Sequence, residues 1–454
     1  MDFELKNKIY LSRMKTETQK AIRDKLTMDN PKYQEAERQG RYTRDIESEL
    51  KFYEETGDTL ICPRGVARQI YLLCRDHGED LSVIDNRRTL DPVDFTFHGK
   101  IRSLQQPAIE SCLSKDFGLL EAPTGSGKTA MALYMIAERK QPALIVVHTQ
   151  ELLNQWIDRI EQFLGISREE IGIIGGGKLK IGGRITVAMI QSLVKKVDQV
   201  VPHIGYLILD ECHRAPAMQY IKAISQFDCK YMTGLSATPW RRDGLSKVIF
   251  WHIGDVTGRI DKVDLLESGN LCEAEVKWIT TEFNTQTDAS VYYSKALSEL
   301  TEDYDRNRLI CNTVAKNNGT GISLILSDRK SHCQIIHDTL LKENGIKSKV
   351  LTGSTSPKER ERVIDGLHQG QCKYLIATGQ LIGEGFDLPG ISSIFLITPV
   401  KFSGRLIQYV GRALRPAPGK DRAMIFDFVD VLNPVFEASA KSRLYTYRHE
   451  QITI

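Results

Sequence analysis

Residues Thr124, Gly125, Ser126, Gly127, Lys128 and Thr129, within Ala122-Pro-Thr-Gly-Ser-Gly-Lys-Thr129, have the chemistry of a phosphate cradle. Gly125 and Gly127 let the backbone bend so that its N–H groups converge on an anion. A helix starting near Lys128 adds the positive end of its dipole. Lys128 is then placed to reach the β- and γ-phosphates, and the Thr129 hydroxyl to ligate Mg²⁺. The usual pattern opens with Gly; here the small residue Ala122 stands in its place. An ordinary Gly-rich turn is the plain alternative. Gly-Lys-Thr between an apolar run (Phe117–Glu121) and a helical pattern (Ala130–Ala137) disfavours it. By itself the loop implies only that a nucleoside triphosphate binds.

Two further groupings could act on that triphosphate. Tyr206-Leu-Ile-Leu-Asp-Glu-Cys-His213 is an apolar strand ending in two acids. Asp210 can hold Mg²⁺ through water, and Glu211 can orient and deprotonate an attacking water. A solvated strand end is the alternative, and a lone His such as His213 is more often structural than functional. Gln408-Tyr-Val-Gly-Arg-Ala-Leu-Arg415 puts Gln408 and Arg412 at i, i+4 and Arg412 and Arg415 at i, i+3. On a helix all three share one face. Two guanidinium groups there can grip a γ-phosphate as its charge rises, an effect worth roughly 10³–10⁵ in rate. A basic face is ordinarily just solvated. The loop-bearing half offers no obvious arginine of its own, which decides for the catalytic reading.

These residues need elements to carry them. From about residue 97, apolar strand candidates (Ala143–Val147, Ile185–Met189, Tyr206–Leu209, Met232–Leu235) alternate with helical stretches such as Glu151–Phe163. Strands apolar throughout belong to a parallel sheet covered on both faces. The pattern restarts with Ser323–Leu326, Lys349–Leu351, Tyr374–Ala377, Ile394–Ile397 and Met424–Phe428, alternating with Lys330–Leu341 and Lys358–Leu367. This second unit has no phosphate loop, so a nucleotide is expected in the cleft between the two, with the crossing near Ile260–Leu271. Residues 1–96 lack a clean period. Val66–Cys74 and Asp45–Glu55 read as short helices, the latter from Ile46, Leu50 and Tyr53 at i, i+4, i+7. The expected division is a small N-terminal α+β domain over 1–96 and two α/β domains over 97–262 and 263–454. Ser442–Arg448 is expected to be a closing helix on the second.

Composition excludes some classes. With 41% hydrophobic and 26% charged residues over 454 positions the chain is an ordinary globular protein. A net charge of +3 gives no charge-based signal for a nucleic-acid partner. Nine scattered cysteines without a C-x-x-C pair argue against a zinc site or a disulfide framework and fit a reducing cytoplasm. No apolar run is long enough to span a bilayer, and the N-terminus has no signal-peptide pattern.

Taken in order, these pieces resemble superfamily 2 helicases of the DExH type over about residues 97–430. In that family Arg102-Ser-Leu-Gln105 is the adenine-recognising motif, with Gln105 reading the base, and the stretches at Lys128 and Asp210 are motifs I and II. Ser236-Ala-Thr238 is motif III, which with His213 couples hydrolysis to movement. Ser327-Asp-Arg329 and Leu351-Thr-Gly353 occupy motif IV positions. Thr378 through Gly383-Glu-Gly-Phe-Asp387 is motif V, with Gly385 and Asp387 facing the nucleotide, and Gln408–Arg415 is motif VI. The resemblance implies α/β architecture with two tandem RecA-like parallel-sheet domains, ATP and Mg²⁺ as cofactors, and nucleic-acid backbone contacts at His148, Thr149, Gln191, Thr352 and Thr378. These five are polar or small, as suits phosphate oxygens, and for each a loop residue facing water is an equal alternative.

Gly234-Leu-Ser-Ala-Thr-Pro-Trp-Arg-Arg-Asp-Gly244 narrows the resemblance to the XPB/UvsW-like group, with phage branch-migration helicases closest. Arg241-Arg242-Asp243 stands where that group carries Arg-Glu-Asp, with Arg in place of Glu. The implied activity is ATP-dependent unwinding or branch migration of branched DNA with single- and double-stranded parts, by a monomer in the cytoplasm of a bacterial or phage-infected cell. An RNA helicase or duplex translocase with the same motor is the alternative. An ATP-gated clamp is the rival of another class, and Glu211, Arg412 and Arg415 argue against it. Lys32 to Arg44, with Tyr33, Arg38, Arg41 and Tyr42, mixes basic and aromatic residues. It suits a nucleic-acid surface or a merely solvated one, and the resemblance implies that this domain grips duplex DNA near a junction.

Overall fold

The computed structural model describes the chain except residues 39, 215–217, 240–243, 318, 320, 380–387, 389, 401–405, 407–408, 412, 415, 417–419, 421 and 451, and the side chains of Arg214, Met218 and Pro357. The chain divides into two compact units, Met1–Asp261 and Lys262–Ile454. Among the described residues no helix is long and apolar enough to cross a membrane.

The first unit opens with strands β1 (Asp2–Leu5), β2 (Lys8–Ser12), β3 (Thr27–Asp29), β4 (Glu49–Lys51), β5 (Glu54–Thr56), β6 (Thr59–Pro63) and β7 (Ser82–Asp85). Five form a sheet in the order β5-β6-β2-β1-β7, and β3 and β4 pair apart from it. Helices Thr16–Lys25 and Ala67–Asp76 bury Ile22, Ile70 and Cys74 in the same core. The helix expected over Asp45–Glu55 is not formed; β4 and β5 occupy its second half. Leu50 pairs with Met28 across the β3–β4 ribbon, while Glu49 and Lys51 on either side face solvent. That is a period of two, which cross-strand pairing favoured over the helical spacing.

The core under this N-terminal sheet continues into the α/β layer that follows. Phe3, Ile9 and Leu11 pack with Ile221, Val248 and Trp251 from the α/β layer that follows. Buried Arg64 donates to the Cys229 carbonyl at 2.7 Å, and a Cβ on neighbouring Gly65 would lie 2.4 Å from the Phe250 carbonyl oxygen. Backbone thus meets backbone there, and only Gly fits.

That layer comprises β8 (Phe117–Glu121), β9 (Ala143–Val147), β10 (Gly172–Gly175), β11 (Lys178–Lys180), β12 (Ile185–Met189), β13 (Tyr206–Leu209), β14 (Tyr231–Ser236) and β15 (Val256–Arg259). Their order is β11-β10-β12-β9-β13-β14-β8-β15, parallel except for the β10–β11 hairpin. All of β9 and β13 is buried, as a sheet with helices on both faces demands.

The second unit is a wholly parallel sheet of β16 (Glu273–Thr281), β17 (Ile322–Ser327), β18 (Lys349–Leu351), β19 (Tyr374–Thr378), β20 (Ile391–Leu396) and β21 (Arg422–Asp430). The order is β16-β21-β20-β17-β19-β18. Helix Pro434–His449 closes this unit, as expected for the tail. Asn433 caps it by accepting from the Val435 and Phe436 N–H groups. Arg443 makes paired bonds to Asp427 at 2.7 and 2.8 Å, and the Tyr447 hydroxyl donates to the same carboxylate at 2.7 Å. All three side chains are buried.

Candidate active site

The strand order of the first unit explains why residues far apart in sequence meet. Every parallel strand ends on the same edge, and the ligand crevice of an open α/β sheet lies outside those carboxyl ends. Three neighbours there, β13, β14 and β8, lead into Asp210–Glu211, Ser236–Thr238 and the phosphate loop respectively. Two more, β9 and β12, lead into His148–Thr149 and Gln191. One edge therefore carries the nucleotide chemistry at one end and the expected nucleic-acid contacts at the other.

The loop has the conformation its glycines permit. Gly125 and Gly127 have φ of +89° and +87°, and Gly127 precedes the helix Lys128–Arg139. A Cβ on Gly127 would lie 2.5 Å from Gln105 Nε2. Lys128 Nζ donates to the loop's own carbonyls, to Ala122 at 2.7 Å and Pro123 at 3.2 Å. The Ser126 hydroxyl is fully buried and has no protein partner. A turned-in lysine, an orphaned hydroxyl and the N-terminus of a helix fit an anion of phosphate type.

Gln105 is also buried. Its amide donates to the Ser126 carbonyl at 2.7 Å, and its carbonyl accepts from the Arg102 N–H at 2.8 Å. Arg102 itself is exposed. In this arrangement both polar ends of the expected base reader are engaged with the protein.

Asp210 is 8% exposed, and both carboxylate oxygens are held. Oδ2 accepts from the Trp156 indole at 2.8 Å and Oδ1 from the Glu211 N–H at 3.0 Å. Burial, together with the charge of Glu211, pushes its pKa up to about 6, against the indole bond and the charge of Lys128, which pull it down. A nearby divalent cation would favour the charged form further. Glu211 has φ of +48°, a left-handed conformation that costs a non-glycine residue about 1–3 kcal/mol and is typical of functional sites. Its Oε2 lies 3.2 Å from His213 Nδ1. The same nitrogen is 3.3 Å from Ser236 Oγ, which accepts from the Thr238 N–H at 3.1 Å. His213, Ser236 and Thr238, expected as a coupling group, form a continuous chain starting at Glu211.

Among the described residues no cluster of three or more His, Cys, Asp or Glu side chains could hold a metal. One carboxylate, Asp210, and one hydroxyl, Thr129, are a donor set for a hard cation that also keeps waters and phosphate oxygens.

At the other end of the edge, the His148 ring stacks on Tyr220 with centroids 5.4 Å apart. Thr149 caps the helix Gln150–Leu164 by accepting from the Leu152 N–H, and Gln191 donates to the His148 carbonyl at 3.1 Å. In the second unit Thr352 and Thr378 follow paired positions of β18 and β19 and are both buried to 9% exposure. The Thr352 hydroxyl is bonded to that of Ser354 at 2.8 Å. Gly385, Asp387, Gln408, Arg412, Arg415 and Arg241-Arg242-Asp243 lie outside the described residues.

Sequence reasoning passed over Trp156 and Tyr409. Trp156 falls in the apolar stripe Leu153, Trp156, Ile157, Ile160 and reads as core. The available signal was that a buried indole N–H needs an acceptor. Tyr409 is buried, and its hydroxyl donates to the Gly379 carbonyl at 2.7 Å.

Two family models match in series along the chain. Residues 98–241 match the type III restriction enzyme res subunit, and residues 305–417 match the helicase conserved C-terminal domain. The chain belongs to the superfamily 2 helicases. A protein of Acanthamoeba polyphaga mimivirus, provisionally named an ATP-dependent RNA helicase, is 26% identical over 80% of this chain and 70% of its own length. The DNA 3'-5' translocase XPB2 of Sulfurisphaera tokodaii is 26% identical over 77% of this chain and 85% of its own. The helicase spans about half the length of two other curated relatives, 51% and 52%. The structure of Saccharomyces cerevisiae Dbp5 bound to RNA and ADP BeF3 aligns with 76% of the chain and 88% of its own, at 17% identity and a TM-score of 0.53. That likeness shows the fold, two tandem RecA-like domains. ATP-dependent helicase activity follows from the family.

Proposed function

We propose that this helicase uses ATP with Mg²⁺ to unwind or branch-migrate branched DNA such as forks, Holliday junctions and R-loops. The observation that carries the reading is the shared sheet edge. The loop bearing Lys128 follows β8, Asp210 and Glu211 follow β13 two places along the same sheet, and His148, Thr149 and Gln191 follow the next strands, β9 and β12. The XPB-type relative, named a DNA 3'-5' translocase, favours DNA.

In this reading Lys128 exchanges its loop carbonyls for the β- and γ-phosphates, and the buried Ser126 hydroxyl gains a partner. Asp210 and Thr129 would hold Mg²⁺, which would supply charge neutralisation at the phosphates. Glu211 orients a water and takes its proton, and His213 relays the state of that carboxylate to Ser236 and Thr238. Arg412 and Arg415, with Gln408, take up γ-phosphate charge, and Gln105, Gly385 and Asp387 contact the nucleotide. His148, Thr149, Gln191, Thr352 and Thr378 contact backbone phosphates rather than bases, so tracking tolerates any sequence.

Steady-state ATPase with single-stranded DNA, duplex, four-way junctions, R-loops and RNA tests the reading. Branched DNA is expected to stimulate most, and log affinity is expected to fall linearly with log salt. Stimulation by RNA alone favours the second reading, an RNA helicase, for which the mimivirus relative speaks. No stimulation by any nucleic acid would overturn both.

A further inference from the structure

The proposed metal carboxylate has a partner that no motif supplies. Trp156 lies on the buried face of the helix Gln150–Leu164, is 2% exposed, and donates its indole N–H to Asp210 Oδ2 at 2.8 Å. Oδ1 is held by the Glu211 N–H at 3.0 Å, so the carboxylate plane is fixed from both sides. Rotation about its terminal torsion would break one of the two bonds. A buried indole has one donor and no acceptor. Trp156 lies in the buried row of Leu153, Ile157 and Ile160, where packing asks only for apolar bulk and not for a hydrogen-bond donor. What an indole adds over a phenyl ring is the N–H, and it is aimed at the acid read as the Mg²⁺ holder. Each oxygen retains a lone pair for a metal-bound water.

We propose that Trp156 is a positioning residue for the metal-binding carboxylate. It pre-sets the Asp210 rotamer, so that the carboxylate that would hold Mg²⁺ keeps its acceptor lone pairs in one orientation. Outer partners that orient the groups around a metal change its affinity by about 10–100-fold when removed, and with Asp210 acting through water the lower end is expected. The inference rests on the reading of Asp210 as the Mg²⁺ holder.

The test measures binding, not turnover. A fluorescent ATP analogue is titrated into the full chain with EDTA and with Mg²⁺, for wild type, Trp156→Phe and Lys128→Ala. Wild type is expected to bind tighter with Mg²⁺. Trp156→Phe is expected to match wild type in EDTA and to lose about tenfold of the Mg²⁺-dependent gain. Lys128→Ala is expected to lose binding in both conditions. An unchanged Mg²⁺ gain in Trp156→Phe, or equal losses with and without Mg²⁺, overturns the positioning role. Absence of any Mg²⁺ gain in wild type overturns the metal reading instead. Should Trp156→Phe not fold, the unmodified protein decides: of its four indole N–H signals by NMR, one is expected to shift when Mg²⁺ joins the bound nucleotide. Four unmoved signals overturn the proposal.

Discussion

The side-chain amide of Gln105 donates to the backbone carbonyl of Ser126 at 2.7 Å, so the residue expected to read adenine also braces the phosphate loop. Its carbonyl end is occupied by the Arg102 N–H, and the side chain is buried. Removing it leaves the Ser126 carbonyl, a buried acceptor, without its donor, about 1–3 kcal/mol.

Gln105→Ala is therefore expected to weaken ATP by about tenfold, near the lower end of that range. It is also expected to weaken pyrophosphate, which has no base to read. Calorimetric titration of both ligands separates the two roles. Normal pyrophosphate affinity with weakened ATP would leave Gln105 as a base reader only.

Lys128→Ala is expected to abolish turnover, since nothing else in the loop carries a positive side chain. Arg415→Ala is expected to keep ATP binding within a few-fold while kcat falls by roughly 10³ or more. Equilibrium binding beside steady-state hydrolysis distinguishes them. Loss of binding alone in Arg415→Ala would contradict its transition-state role.

Acid should destabilise the helicase through two histidines. His332 is enclosed by Ser327 Oγ at Nδ1 and Asn307 Oδ1 at Nε2, and burial, with the charge of Arg306, lowers its pKa to about 3. Burial lowers His252 to about 4, against the Val248 carbonyl bond and with help from Lys8. The unfolded chain takes a proton below about pH 6.5 that the folded chain refuses until far lower. Their contribution is thus intact above pH 6.5 and fades as pH falls toward 4, about 2 kcal/mol per histidine by pH 5. Calorimetric melts should show a falling transition temperature from pH 7 to 5. His332→Gln should flatten that slope for the second unit. An unchanged slope in the variant would mean that His332 already titrates normally.

Legibility in the sequence followed burial. Strands β9, β12 and β13 and the helix Gln150–Leu164 stand out because apolar runs and apolar stripes are direct consequences of where they lie. β16 was missed because charged Glu273, Glu275 and Lys277 alternate with apolar residues along a sheet edge. β20 starts three residues before the expected strand because Ser392 and Ser393 are polar yet buried. The phosphate loop and the Asp210–Glu211 pair were legible because their chemistry demands fixed residue types at fixed spacing. Trp156 was not, because its partner is 54 positions away and only the strand order brings them together.

The bond between Tyr409 and Gly379 joins two motifs of the second unit. Gly379 follows Thr378, the expected phosphate contact, and Tyr409 stands between Gln408 and Arg412. The hydroxyl donates to the Gly379 carbonyl at 2.7 Å, and a Cβ on Gly379 would lie 2.5 Å from that oxygen. The contact therefore requires glycine on one side and a phenol on the other. Tyr409→Phe keeps the buried ring and deletes only the donor, a change worth about 1 kcal/mol. If the bond conveys nucleic-acid contact at Thr378 to the hydrolytic residues, the variant should retain ATPase without nucleic acid and lose roughly fivefold of the stimulation by DNA. Gly379→Ala, which pushes the same two groups apart, should show the same pattern. ATPase measured across a DNA titration reads both. Equal loss with and without DNA would make Tyr409 a packing residue and leave the two motifs uncoupled through it.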